Sequence, residues 1–571
     1  MKAPKVMIVG LDAATWDLAK PWVAEGHMPN LAKLMSEGTS GKFESVFPPI
    51  TPPAWTSFTT GKNPGKHGIF HFMETKPDSY ALSYSNATSR RTRTVWKILN
   101  DAGITTGICN VPFTYPPEPL NGYQTSGMDT PSEKSPFLHP PELRQELEKV
   151  VGKPLQLDVR FLGFMTNDER RNSVLDEMRQ LDEQWTQVGL HLLQNRRQDV
   201  MMFVFMSIDT VQHYFWQFMD ETHFLHDPAA KEKFGNAVRD VYSRLDATLG
   251  KFLERADAET SVFVVSDHGG GPVSDRTVYL NRYLAQIGLL NYRKNTDNPL
   301  QKAARALMRG AYNLLRDNLS SRQKVWLADL LPALRDKAET SYTSFTEIDF
   351  ERTQAFCSEV LASPPSIWIN LRGVRPQGIV DPADYETVRN KVIEKLKELK
   401  DPRTGEQVIK RVLKREDVVH GPYAPEAADL ILDWWEASLF STGPSFPEDA
   451  DKPPVIVTEK RPTEGSEWGG THRLHGIIVA KGPHFRRGAE IAGARLIDFA
   501  PTLLYLLGQP VPREMDGKVL SDLFQPEYLQ AHPIRYDDEK ETFQAAPTSG
   551  EYSAEEAAQV EDRLKALGYI E

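Results

Sequence analysis

Three aspartates and a small set of histidines have the types and spacings that hold divalent cations. Asp12 ends the apolar run VMIVGL. Asp209 and His213 stand four apart in SIDTVQH, which on a helical turn puts both on one face. Asp267 and His268 are adjacent in VVSDHGGG, and GGTHRLHG supplies His472 and His475. On a straight strand, adjacent side chains point to opposite faces. The three glycines after His268 are therefore expected to turn the backbone and let both converge on one ion. Each motif alone is ordinary cap or turn chemistry. Their recurrence, each after an apolar strand or in a glycine-rich stretch, predicts a metal site.

Oxygen and imidazole donors without thiolate suit zinc, with manganese or another first-row dication as alternative. Three Asp and three His exceed what one ion needs, so two ions are expected. Two ions about 4 Å apart can bind both the attacking and the leaving oxygen of an in-line displacement.

A nucleophile is available in ITPPAWTSFTTGKNPGKHGI, residues 50–69. The stretch holds the hydroxyls of Thr51, Thr56, Ser57, Thr59 and Thr60, one imidazole, His67, and no carboxylate. A dication bound directly to a hydroxyl lowers its pKa, so no neighbouring base is required.

These residues need a scaffold that gathers strand ends. KVMIVGLDA, DVMMFVFMSID, TSVFVVSDHGGG and LHGIIVAKGP are continuous apolar runs, the pattern of strands buried on both faces. Amphipathic stretches lie between them, including Thr94 to Asp101 and Lys233 to Ala256. The expected fold is α/β, a mostly parallel central sheet with helices on both faces. Sites in such folds lie at the C-terminal ends of the strands, where Asp12, Asp209 and Asp267 fall.

The expected organisation is a catalytic core over residues 1–290 and 455–525, interrupted by two inserted subdomains. Residues 291–344 read as a helical cap. Ala304, Leu307, Met308, Ala311, Leu314 and Leu315 recur at helical spacing, and Lys and Arg outnumber Asp and Glu. A basic lid of this kind could draw in an anionic substrate. Residues 345–454 read as an α+β insert with strand candidates SIWINLRG and ADLILDWW and a helix from Tyr385 to Lys400. Residues 526–571 read as a linker and a C-terminal helix. Ser553 and Glu556 form a capping box there, ahead of an apolar stripe of Val560, Leu564 and Leu567. Trp434, Trp435, Trp216 and Phe218 read as core, with stacking on a base or lipid head group as the alternative.

The 571 residues carry a net charge of -11, which argues against broad nucleic-acid binding. Cys109 and Cys357 sit in apolar runs and form no disulfide framework, which suits a reducing compartment. No stretch approaches the roughly 18 apolar residues of a transmembrane helix. The expectation is a cytoplasmic protein acting on a small molecule. A basic amphipathic segment could also touch a membrane surface.

With these residues assembled, the chain resembles the alkaline phosphatase superfamily, and within it the type I phosphodiesterase/nucleotide pyrophosphatase branch. The order matches over about residues 1–290 and 455–525: strand-Asp, a threonine loop ending in TG and then HGI, D-x-x-x-H, DHG, G-x-H. The stretch DFAPTLLYLLGQPVPREMDGKVL resembles the superfamily's closing helix and loop. The resemblance implies a metal-dependent phosphodiesterase with Thr51 as nucleophile and a covalent phospho-threonine intermediate. It implies that Asp12, Thr51, Asp267 and His268 hold one ion and Asp209, His213 and His472 the other. His472 is preferred to His475 because G-x-H falls on Gly470-Thr471-His472. His67 is then structural.

The chain departs from the pattern after HGI. Phe72 stands where the branch has an Asn that donates to a phosphate oxygen, which makes His71 the nearest polar substitute. Lys66 is a further substrate-binding candidate. Phosphomonoesterase or phosphotransferase activity on the same site is the alternative, and a metal-binding pseudoenzyme a further one. The stretch TPPAW argues against a sulfatase, which needs Cys or Ser in C/S-x-P-x-R, and against the phosphoglycerate mutases.

Overall fold

The computed structural model describes residues 3–75, 80, 82–159, 167–293, 347–359, 365–436, 438–458, 468–538 and 552–566. Nine strands form the central sheet: β1 (Val6–Leu11), β2 (Thr39–Glu44), β3 (Thr106–Val111), β4 (Gly122–Ser126), β5 (Leu138–His139), β6 (Val200–Phe205), β7 (Ser261–Val265), β10 (His475–Lys481) and β11 (Ala489–Arg495). Between β7 and β10 in the chain lie β8 (Gly269–Pro272) and β9 (Gly470–Arg473), which pair as a separate antiparallel ribbon. The sheet order is β11-β2-β10-β7-β1-β6-β3-β4-β5. β7, β1, β6, β3 and β4 run parallel to their neighbours in that series, while β10 is antiparallel to both β7 and β2.

Around the sheet stand helices α1 (Thr51–Thr60), α2 (Val95–Asp101), α3 (Ser207–Met219), α4 (Ala237–Leu253), α5 (Phe499–Leu506) and α6 (Ala554–Ala566). The strand period of two divides β1 between two cores. Met7, Val9 and Leu11 pack with Ile208 and Val211 of α3, Val238 and Val241 of α4, and Val560 and Leu564 of α6. Val6 and Ile8 pack with Trp55 and Phe58 of α1, Trp96 of α2 and Leu503 of α5. The sheet is covered on both faces, as its continuous apolar strands require. Thr94 caps α2 by accepting from Lys97 N.

This topology gathers one rim. Asp12 and Asp209 follow the ends of β1 and β6, and Asp267 and His268 follow β7. Because β2 is antiparallel to β10 and β10 to β7, β2 exits at that same rim and leads to Thr51. The reversed strand β10 begins there, so His472 just before it arrives at the same place. Helix α1 descends one face of the sheet and α3 the other, each starting at this rim.

A second sheet, Ala355–Cys357, Ser366–Ile369, Leu430–Leu432 and Val412–Lys414, carries the helix Tyr385–Lys397 and its own core. It touches the loop after α1: Asn63 Nδ2 donates to Val418 O at 2.8 Å, and Tyr423 N donates to Gly65 O at 2.9 Å. The helical cap expected over 291–344 lies, apart from residues 291–293, outside the described residues.

The C-terminal helix has the capping box read from its sequence. Ser553 N donates to Glu556 Oε2 at 2.9 Å, and Glu556 N donates to Ser553 Oγ at 3.2 Å. Leu567 lies outside the described residues. Residues 526–538 carry regular structure that their linker-like composition does not suggest. Residues Pro526–Ala531 form a helix and Tyr536–Asp537 pair with Val511–Pro512, because Tyr528 and Ile534 find apolar cover against the α1 side of the sheet. Among the described residues no helix is long and apolar enough to cross a membrane.

Candidate active site

Asp12, Thr51, Asp209, His213, Asp267, His268 and His472 are all buried and converge on one rim. Their ligand atoms form two groups, each within 4.8 Å: Asp209, His213 and His472, and Asp12, Asp209 and His268. Asp209 belongs to both. Asp267 joins the second through its Oδ2, 3.3 Å from His268 Nε2.

In the first group Asp209 Oδ1 is 3.2 Å from His213 Nε2 and 3.5 Å from His472 Nε2. The two Nε2 atoms are 3.1 Å apart. Donor atoms ~2.0–2.1 Å from a tetrahedral zinc lie about 3.3 Å from one another, so this triangle has the edge lengths of a zinc-binding face.

Second contacts fix the tautomers. His213 Nδ1 is 2.8 Å from Gly470 O, His472 Nδ1 is 3.1 Å from Pro49 O, and His268 Nδ1 is 3.1 Å from Gly269 O. A carbonyl oxygen only accepts, so each Nδ1 carries a proton, and in the neutral form of each ring Nε2 is the ligating lone pair. Four further buried atoms, Asp12 Oδ1, Thr51 Oγ1, Asp267 Oδ2 and His268 Nε2, have no hydrogen-bond partner among the described residues. All are cation ligands by chemistry, and buried polar groups are otherwise nearly always paired. The donor set fits divalent cations.

Electrostatics point the same way. Burial, then the charges of Asp267 and Asp209, push the Asp12 carboxyl well above the usual range. Burial and Asp209 push Asp267 up to about 7. Burial lowers His268 to about 4, and burial with the charge of His268 lowers His472 to about 4. Burial also raises Asp209, but His213 and His472 outweigh it and hold that carboxyl well below its usual value. His213 is the exception: burial lowers it, but Asp209 and the Gly470 carbonyl outweigh burial and raise it. A dication would stabilise the close carboxylates as anions and take the place of the His213 proton.

Local sequence explains the placement. Asp209 and His213 share one face of α3, as the four-residue spacing requires. Thr51 is the first residue of α1, after Ile50 at the cap, and so sits at the positive end of the helix. Pro52 and Pro53 suit the first turn, where their missing N–H groups have no intrahelical partner. Trp55, one turn on, donates from Nε1 to Asp12 Oδ2 at 2.7 Å. A Cβ at Gly10 would stand 2.9 Å from the Trp55 ring, so glycine there admits the indole.

The glycines after His268 act differently from the expectation. Gly269–Pro272 form strand β8, paired with β9, rather than a turn. Their use is close approach: a Cβ at Gly269 would meet His475 O at 2.2 Å, and one at Gly270 would meet Gln212 Oε1 at 2.5 Å.

Other residues singled out by sequence have different surroundings. His475 starts β10 and stands 3.4 Å from Glu436. His67 is fully buried, with Nε2 2.8 Å from Ser57 Oγ and Nδ1 accepting from Ile69 N. Lys66 Nζ is 2.6 Å from Asp516 Oδ1 and donates to Glu514 O. His71 is buried, and its Nδ1 accepts from Met73 N at 3.2 Å. Phe72 packs in the core against Phe113. Trp216, Phe218 and Trp435 are buried. Trp55 and Gln212 escaped the sequence reading. The spacing of Trp55, four after Thr51, could have found it, whereas Gln212 offers only adjacency to His213.

The sheet, its two helical layers and this rim define an alkaline phosphatase-like α/β fold. Phosphonoacetate hydrolase from Sinorhizobium meliloti 1021, in complex with phosphonoformate, superposes with a TM-score of 0.50 at 14% identity, covering 87% of this chain and 94% of that one. Human ectonucleotide pyrophosphatase / phosphodiesterase 5 superposes with a TM-score of 0.44 at 14% identity, covering 92% and 99%. At that identity the first likeness is one of fold. No curated protein sequence matches. Residues 6–448 match the type I phosphodiesterase / nucleotide pyrophosphatase family, and the chain belongs to it, within the alkaline phosphatase superfamily. It is a hydrolase of that family.

Proposed function

We propose that the chain is a phosphodiesterase dependent on two divalent cations, zinc or else manganese, with Thr51 as nucleophile. Asp12, Thr51, Asp267 and His268 would hold one cation and Asp209, His213 and His472 the other, with Asp209 near both. The observation that carries this reading is the close triangle of Asp209, His213 and His472 on a rim that also carries the buried Thr51 hydroxyl, which has no hydrogen-bond partner among the described residues. Bound cations would lower the hydroxyl pKa and neutralise charge developing on the phosphoryl oxygens.

The chain's own residues do the rest. Thr51 Oγ1 gives up its proton to solvent and attacks phosphorus in line; the new P–O bond forms as the bond to the leaving oxygen breaks, and the departing alkoxide takes a proton from solvent. Water then attacks the phospho-threonine, the P–O bond to Thr51 breaks, and its hydroxyl regains a proton. Trp55 holds Asp12 so that Oδ1 faces inward. The carbonyls of Gly470, Pro49 and Gly269 keep the three imidazoles in the ligating tautomer. Burial of all seven residues excludes bulk water and strengthens each of these interactions.

The substrate we infer is a small-molecule phosphodiester, with His71 and Lys66 the substrate-side candidates. The inferred division is a core over 1–290 and 455–525, inserts over 291–344 and 345–454, and a C-terminal segment over 526–571. We place the protein in the cytoplasm.

The test compares bis(p-nitrophenyl) phosphate with p-nitrophenyl phosphate, before and after chelation. The diester should be the better substrate, and chelation should abolish turnover until zinc or manganese is restored. Thr51→Ala should lower the rate by at least about 10³-fold while keeping most bound metal. A near-normal rate in that variant overturns the nucleophile, and a preference for the monoester makes the chain a phosphomonoesterase.

A further inference from the structure

We propose that Gln212 is a positioning residue that holds the two candidate cation sites in register. The proposal rests on the two-cation reading above. Gln212 is 2% exposed and lies between Asp209 and His213 on α3. Its Nε2 donates to Ala13 O at 2.9 Å. Ala13 follows Asp12 and has φ 59, a left-handed conformation that alanine rarely adopts. The N–H of the same residue donates to Asp267 Oδ1 at 3.3 Å. One residue in an unfavourable conformation thus joins Asp12 to Asp267, and Gln212 grips its carbonyl.

The other end of the amide lies against the ribbon, its Oε1 without a hydrogen-bond partner among the described residues. Gly270 is the cross-strand partner of His472, and a Cβ on it would stand 2.5 Å from Gln212 Oε1. A Cβ at Gly470 would stand 2.3 Å from the Gln212 carbonyl oxygen. Glycine at both positions lets residue 212 lie against β8 and β9. Gln212 therefore touches the loop of Asp12, belongs to the helix of Asp209 and His213, and abuts the ribbon of His268 and His472. Residue 212, through its side chain and its backbone, is in contact with all three ligand-bearing segments. Without the grip on its carbonyl, Ala13 relaxes toward negative φ, Asp12 and Asp267 lose their mutual placement, and the cation they hold is bound more weakly.

Gln212→Met keeps the length of the side chain and removes the donor. Gln212→Asn keeps a buried amide too short to reach Ala13. Zinc titration by calorimetry, with metal counted after gel filtration, reads each variant beside the parent. Circular dichroism confirms the fold. Both variants should keep one zinc at parental affinity and bind the second about 10- to 100-fold more weakly. Adding Ala13→Gly should restore the second affinity, because glycine adopts φ > 0 without being held there. Parental affinity for both ions in both variants overturns the proposal. So does a loss that Ala13→Gly does not repair, since packing alone would then explain it. A parent protein that binds fewer than two zinc ions overturns the two-cation reading itself, before any variant is compared.

Discussion

The Nε2 atoms of His213 and His472 lie 3.1 Å apart, although 259 residues separate them in the chain. Each ring has its other nitrogen on a backbone carbonyl, so the two Nε2 atoms face one another with Asp209 beside them, sharing either a proton or a cation. A positive ion between them reconciles all three.

Replacement of His472 should therefore differ sharply from replacement of His475. His472→Ala removes one corner of the triangle and should lower diester hydrolysis by at least about 100-fold, with one cation fewer per chain by elemental analysis. His475→Ala removes partly exposed contacts to Glu436 and Glu44 and should stay within about threefold of the parent. Equal losses in the two would reverse the choice between them.

Trp55→Phe keeps most of the packing and deletes the donor to Asp12 Oδ2. Removing one partner of a buried hydrogen bond costs about 1–3 kcal/mol, because the carboxyl oxygen is left unpaired. Urea unfolding of the chelated protein should show a loss of that size. Turnover should also fall, because Asp12 can rotate away from the site. A variant as stable and active as the parent removes Trp55 from the machinery.

His67 makes stability depend on pH. Burial, then Arg90 and Lys62, lower its imidazole from the usual 6.5 to about 3. Its Nδ1 accepts from Ile69 N, so protonation there breaks a buried hydrogen bond. Below about pH 6.5 the unfolded chain takes up a proton that the fold refuses. The stabilisation is complete above pH 6.5 and is lost as pH falls toward 3, at up to about 1.4 kcal/mol per unit. His67→Asn can keep the acceptor and cannot titrate. Its stability measured between pH 6 and pH 4 should fall less steeply than the parent's by up to one proton, and parallel curves would show that His67 titrates normally.

The glycines of DHGGG show where a local reading goes astray. They looked like a turn because glycine most often marks one. They form a strand because Gly470–Arg473, some 200 residues later, supplies its partner, and their missing side chains make room for His475 and Gln212. Phe72 was read as a gap in phosphate binding. It lies in the main core with Phe113, so its apolar character answers a packing demand.

Residue types and short spacings by themselves determined the α/β class, the pairing of Asp209 with His213, the cap of the last helix and the family's order of motifs. Those features depend on backbone periodicity and on neighbours within a turn or two. Tertiary structure alone decided that β10 runs backwards and delivers His472 to the rim. It also placed Asp209 between both groups of ligands, turned each imidazole by a carbonyl from elsewhere in the chain, and gave Lys66 to Asp516. Such contacts arise from which distant surfaces pack together, and no local pattern encodes them.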